Sequence, residues 1–179
     1  VSQSAGTTIS TAGSGDVVIQ TISGTGDEFT TMASTASIET VDGHVYISSR
    51  DVTVGDIEAS NGKVLVFSST WVADADTEID TDLDISANQL YIIGGGSLGT
   101  STNALETAVG VLAANSTSSS IFIDQYGDTR IGAIAVSATD VLNDATTTER
   151  TASGQDISAA AHVAIRVFDG VLDSESRAL

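Results

Sequence analysis

Apolar residues recur along this chain with a period of two rather than 3.6, in short triplets set between Gly, Ser, Asn and Asp. The triplets are Val17-Val18-Ile19, Val45-Tyr46-Ile47, Val64-Leu65-Val66, Leu90-Tyr91-Ile92, Ile121-Phe122-Ile123 and Val163-Ala164-Ile165. Three of them share a stem: Gly15 to Ile19 reads GDVVI, Gly43 to Ile47 reads GHVYI, and Gly62 to Val66 reads GKVLV. A second motif follows a triplet twice, as DVTVGDI from Asp51 to Ile57 and as DTRIGAI from Asp128 to Ile134. Short strands of repeated text with variable turns between them predict an all-β fold, and a solenoid better than a sandwich or barrel. At about 20 to 25 residues per coil the chain would make roughly eight irregular coils, stacked at the ~4.8 Å strand spacing.

The whole chain, residues 1–179, reads as a single β-solenoid domain. Ser116 to Ser120 and Asp144 to Arg150 are polar turns, not domain breaks. Ile157 to Phe168 alternates strictly, which predicts a strand. Ala104 to Ala114 admits a helix as an alternative, because Asn103 and Glu106 stand at capping-box spacing. If the flanks of each triplet fill the core, the middle residues point outward. Val18, Tyr46, Leu65, Tyr91 and Phe122 then form an apolar ladder, and an exposed ladder of this kind marks a self-assembly face. The alternative is that loops of the same chain cover it.

Composition removes several function classes. Asp+Glu is 24 against 6 Lys+Arg, a formal charge of -18. Duplex binding needs a basic surface, so no nucleic-acid partner is expected. No run of roughly 20 apolar residues exists to insert into a membrane as a helix. The absence of Cys removes disulfides and thiolate metal sites. The chain begins at Val1 with no signal sequence, which reads as a mature product or a segment of a longer exported protein. Charge of this density needs screening by salt or by bound divalent cations, or serves solubility alone.

The charge concentrates at Ala73 to Ile85, ADADTEIDTDLDI. Strict alternation places Asp74, Asp76, Glu78, Asp80, Asp82 and Asp84 on one face of an extended strand, about 6.7 Å apart. Such a ridge is a candidate Ca2+ site if a bend or a neighbouring coil completes the oxygen shell, and otherwise a solvated edge. No other cofactor is expected. Gly94 to Gly99 (GGGSLG) matches a dinucleotide glycine pattern, but the surrounding text is not α/β. His44 and His162 are isolated and Lys63 is the sole lysine, so no catalytic set emerges and an enzyme is not expected.

From Asn88 to Val136 the text is more specific. Gln89-Leu90-Tyr91-Ile92-Ile93-Gly94-Gly95-Gly96-Ser97-Leu98-Gly99-Thr100 precedes Asn103-Ala104-Leu105-Glu106-Thr107, then Ser120-Ile121-Phe122-Ile123. This resembles the β-strand repeats of filamentous haemagglutinin-like large bacterial exoproteins, with Ala104 where that family often has Pro. The resemblance is close over about 50 residues and loose elsewhere. It implies a right-handed parallel β-helix, exported to the bacterial cell surface or medium, with no catalytic residues. The expected role is structural: a filament, coat or adhesin stalk that associates with itself. The alternatives are an adhesin segment that binds a host or surface glycan through exposed Tyr and Asp, and, more remotely, a polysaccharide-active enzyme.

Overall fold

A computed structural model describes residues 1–21, 28–76, 82–142 and 144–174. It is all-β, with no helix among the described residues. The first strands are β1 (Ser2–Gln3), β2 (Thr8–Ser10), β3 (Val17–Gln20), β4 (Phe29–Met32), β5 (Ser37–Thr40), β6 (Val45–Ser49) and β7 (Asp51–Val54). The longer central strands are β8 (Asp56–Ser68), β10 (Ile85–Gly94) and β11 (Leu105–Ser116), with the short β9 (Val72–Asp74) among them. Then come β12 (Ile121–Tyr126), β13 (Thr129–Ile131), β14 (Ile134–Val141), β15 (Thr147–Gly154), β16 (Ile157–Ala159), β17 (Val163–Phe168) and β18 (Leu172–Ser174).

Almost all pairing is parallel. One sheet runs β1-β4-β7-β9, and a larger one follows the path β17-β12-β11-β10-β8-β5-β2 with side branches. Each strand lies on one earlier in the chain, from 18 residues back (Leu105 with Ile123) to 29 (Ser2 with Thr31). The interval widens to 42 between Ile121 and Val163. The antiparallel hairpin β14–β15 is inserted there.

Parallel in-register pairing sets like residue on like. Ile19, Ile47, Val66, Ile92, Ala114 and Ile157 form one column across successive strands. Val17, Val45, Val64, Leu90 and Leu112 form another. Both lie in the main core, where Val45 to Leu112 are fully buried. Burying each Val, Leu or Ile contributes about 1.5–3 kcal/mol. The glycine of the shared stem has a steric reason. A Cβ at Gly43 would overlap the Gly15 carbonyl oxygen, and one at Gly62 would overlap that of Gly43. The absence of proline fits too, because stacked parallel strands need their amide donors.

Three readings are decided here. Residues 104–114 carry no helix: Leu105–Ser116 is strand β11, paired to β10 over most of its length. The capping-box spacing loses to the β-branched and apolar alternation that follows it. Ile157 to Phe168 is two strands, β16 and β17, separated by a bend at residues 160–161. The third concerns the apolar ladder, whose reading as an exposed face is corrected. Leu65 and Tyr91 are buried together with Val111 and Ala113 beneath Ile134 and Val136 of the hairpin, and Tyr46 packs at the edge of this cluster. Val18 and Phe122 are half-buried. A sheet apolar on both faces is covered on both, and here the chain supplies the second cover itself.

Candidate metal centre

Strand β9 brings the first acidic residue inward. Val54 pairs with Asp74, and Met32 stands one step earlier in the same column. Met32 and Val54 are core residues, so Asp74 occupies a position that its neighbours fill with apolar side chains. Only 8% of it is exposed. Its Oδ1 accepts the amide of Asp76 at 3.0 Å. Its Oδ2 is buried and receives no hydrogen-bond donor.

The second and third residues come from the starts of β10 and β11. Asp84 and Ile85 are both buried, so the alternation breaks where β10 begins. The Asp84 amide donates to the Glu106 carbonyl at 2.9 Å, and the Glu106 amide donates to Asp84 Oδ2 at 2.8 Å. Glu106 is 2% exposed. One carboxylate oxygen from each of Asp74, Asp84 and Glu106 lies within 4.8 Å of the others. Burial pushes the Asp84 carboxyl far above the usual carboxylate range. The adjoining Asp74 carboxyl and the Glu106 charge push the same way, against the opposing Glu106 amide.

Register extends this cluster into an acidic column. Asp84 stands one step before the Ile57–Ile85 and Ile85–Thr107 pairs, which sets it between Asp56 and Glu106. Glu106 pairs with Asp124, and Asp124 pairs with Arg166. Asp56 is at the exposed end of the column, and its carboxyl is raised by partial burial, Glu58 and Glu39. At the other end Arg166 grips Asp124 with two nitrogens, Nε reaching Oδ1 at 2.6 Å. That bond to Asp124 in turn raises the Arg166 guanidinium.

The sequence-predicted ridge is therefore not a straight solvated strand. β9 ends at Asp74, a bend follows at Ala75 and Asp76, and the Asp74 and Asp84 carboxyls lie together. Asp76 is half-buried and Asp82 exposed, while Glu78 and Asp80 lie outside the described residues. Asp74 faces inward beside Val72, opposite to the phase in which all the acids share a solvated face. Glu106 was missing from the predicted set. Its only sequence signal was the capping-box spacing, because what joins it to Asp84 is strand register.

Among the other candidates, Gly94 to Gly99 closes β10 and leads through a turn to a strand, so the helix required for dinucleotide binding is missing. The Leu98 of that turn bridges Val72 and Ile121 and continues a core column. The arrangement of Asp74, Asp84 and Glu106 suits two chemistries: sharing protons between carboxyls, or binding a hard cation. No protein-family model, curated protein or solved structure matches the chain.

Proposed function

We propose that the chain is a segment of a right-handed parallel β-solenoid of roughly eight irregular coils, of the filamentous haemagglutinin-like kind. Its role is structural and non-catalytic, as a rod at a bacterial surface or in the medium that associates with copies of itself. The observation that supports this most is the register. Columns such as Ile19-Ile47-Val66-Ile92-Ala114-Ile157 run through six parallel-paired strands. Backbone hydrogen bonds then lie along the rod, and each coil is a template for the next.

Association falls to the ends of these columns, because the hairpin occupies the lateral ladder. Strand β17 pairs with β12 on one side, and beyond it Val163, in register with the buried Ile121, is 48% exposed. Inward positions that are sealed in the middle of the stack stand open there. The glycan-binding alternative has fewer tyrosines to work with: Tyr91 is buried, Tyr46 half-buried, and Tyr126 stacks on Phe168 with centroids 5.1 Å apart. Negative-stain microscopy and light scattering of concentrated protein test the reading. Ordered fibres or end-to-end oligomers are expected from the natural chain, and Val163→Lys with Val167→Lys should reduce them to single rods. Single rods from the natural chain, or fibres that survive both substitutions, would overturn end-to-end association.

A further inference from the structure

We propose that the sheet face beneath hairpin β14–β15 is a lateral interface between copies of this chain, and that the hairpin is its removable mask. The face belongs to β3, β6, β8, β10 and β11, where outward residues alternate with the core columns through Val17 and Ile19. Leu65, Tyr91, Val111 and Ala113 form its apolar centre.

The hairpin is an insertion into a single strand row. Ile131 pairs with Leu112 and Ile157 with Ala114, so residues 132–156 stand where one residue opposite Ala113 would stand. A residue in a parallel ladder donates its amide to one carbonyl of its neighbour and accepts an amide at its own carbonyl. Here the Gly132 amide donates to the Leu112 carbonyl at 3.3 Å, and the Asp156 carbonyl accepts the Ala114 amide at 3.1 Å. The two ends of the insertion together make the bonds of that one residue. Among the described residues the hairpin is a separate two-stranded sheet, with no ladder to the sheet that it covers.

An apolar face and two polar ties seat it. Ile134 and Val136 pack over Leu65 and Tyr91, and each is at most 2% exposed. The ties come from the variable position of the Gly-x-Val stems. Lys63 Nζ donates to the Ala135 carbonyl at 2.7 Å, and Asp16 Oδ2 accepts the Thr139 amide at 2.8 Å. The other side of the hairpin is polar: Ser137, Thr139, Thr147, Glu149, Thr151 and Ser153 are exposed.

Charge selects the occupant. Copies with a formal charge of -18 repel one another over most of their surface. On this face the outward positions, from Asp16 in the first row to Asn115 in the last, hold one carboxylate, Asp16, and it is balanced by Lys63. A second copy can lay the same neutral, apolar face against it, about 10 Å away as packed sheets do, without bringing carboxylates together. The hairpin prevents this twice. It fills the apolar centre, and it sets Glu149 and Asp144 on the exposed side.

The test carries Val163→Lys and Val167→Lys in every chain, so that end-to-end association contributes nothing. With the natural hairpin, single chains are expected. Replacing residues 132–156 by one glycine should keep the β-sheet circular dichroism spectrum and double the particle mass in sedimentation velocity. Adding Leu65→Lys and Tyr91→Lys should return it to single chains. A folded replacement chain that stays single overturns the proposal, as do dimers already present with the natural hairpin or dimers that survive the added lysines. If the replacement chain does not fold, the full chain with Ile134→Asp and Val136→Asp lifts the hairpin instead, and the same doubling and the same reversal are expected. Failure of both variants to fold also overturns the proposal, because the hairpin is then part of the core and not a mask. Fibres from the chain with natural ends report on end association alone, so the two associations succeed or fail separately.

Discussion

Two columns of this molecule obey the same geometry with opposite consequences. In the column through Ile47, Val66 and Ile92, parallel stacking sets apolar groups on apolar groups, and each added strand buries the last. In the column through Asp84, Glu106 and Asp124, the same register sets carboxyl on carboxyl, each at most 5% exposed. One arrangement is stable as it stands. The other needs a cation, a proton or a guanidinium at each step, and the structure shows one such answer in Arg166 on Asp124. Parallel register therefore amplifies whatever residue it repeats, and a charged repeat becomes a site.

The comparison breaks most sharply in the apolar column. Ile92→Ala leaves a cavity at a fully buried position with the strands on either side in register, and should cost about 2–5 kcal/mol in denaturant titrations. A loss below about 1 kcal/mol would mean that the columns do not carry the stability. In the acidic column, Arg166→Ala strands Asp124, whose side chain is 5% exposed. The Arg166 side chain is 55% exposed, so solvent screening reduces the usual buried-pair cost to about 1–2 kcal/mol. The companion change Asp124→Asn should recover most of it, and a double-mutant cycle measures how much.

Metal-free chain gives a pH signature of the same column. Folding lifts the Asp84 carboxyl above its ordinary 3.8, so the folded chain keeps a proton that the unfolded chain releases. Stability from this group is complete below that value and falls as the pH rises above it, by up to about 1.4 kcal/mol per unit. Urea midpoints should therefore drop between pH 5 and pH 7, and Asp84→Asn should flatten the slope. The smallest effect is at the exposed end. Asp56→Asn relieves like-charge repulsion from Glu58 and Glu39 and should stabilise by about 0.2–0.5 kcal/mol, measured at low salt. A loss instead would show that Asp56 makes a favourable contact of its own.

The strands were legible because each triplet carries its own alternation and its own flanking turn residues. Val45-Tyr46-Ile47, Val64-Leu65-Val66 and Leu90-Tyr91-Ile92 all lie in strands with their flanks in the core. The ladder of middle residues was legible as apolar but not as covered. Nothing local in Ile134 to Gly154 says that this hairpin folds back over Leu65 and Tyr91, more than forty residues upstream of its first residue. The acidic segment was legible as a candidate site, and its phase was not. Alternation names two faces, and only packing against Met32 and Val54 decides which one Asp74 takes.

The amino-acid sequence by itself determined the class of the fold, because period two, glycine at the stems and the absence of proline all act within a few residues. It also determined that negative charge would gather near Asp74 to Asp84. The tertiary structure decided which carboxyls meet. Glu106 is 22 residues beyond Asp84 and reaches it because one strand pairs with the next in a fixed register. Spacing along the chain varies from one strand pair to the next, so that register is a property of the parallel sheet as a whole and not of any segment within it.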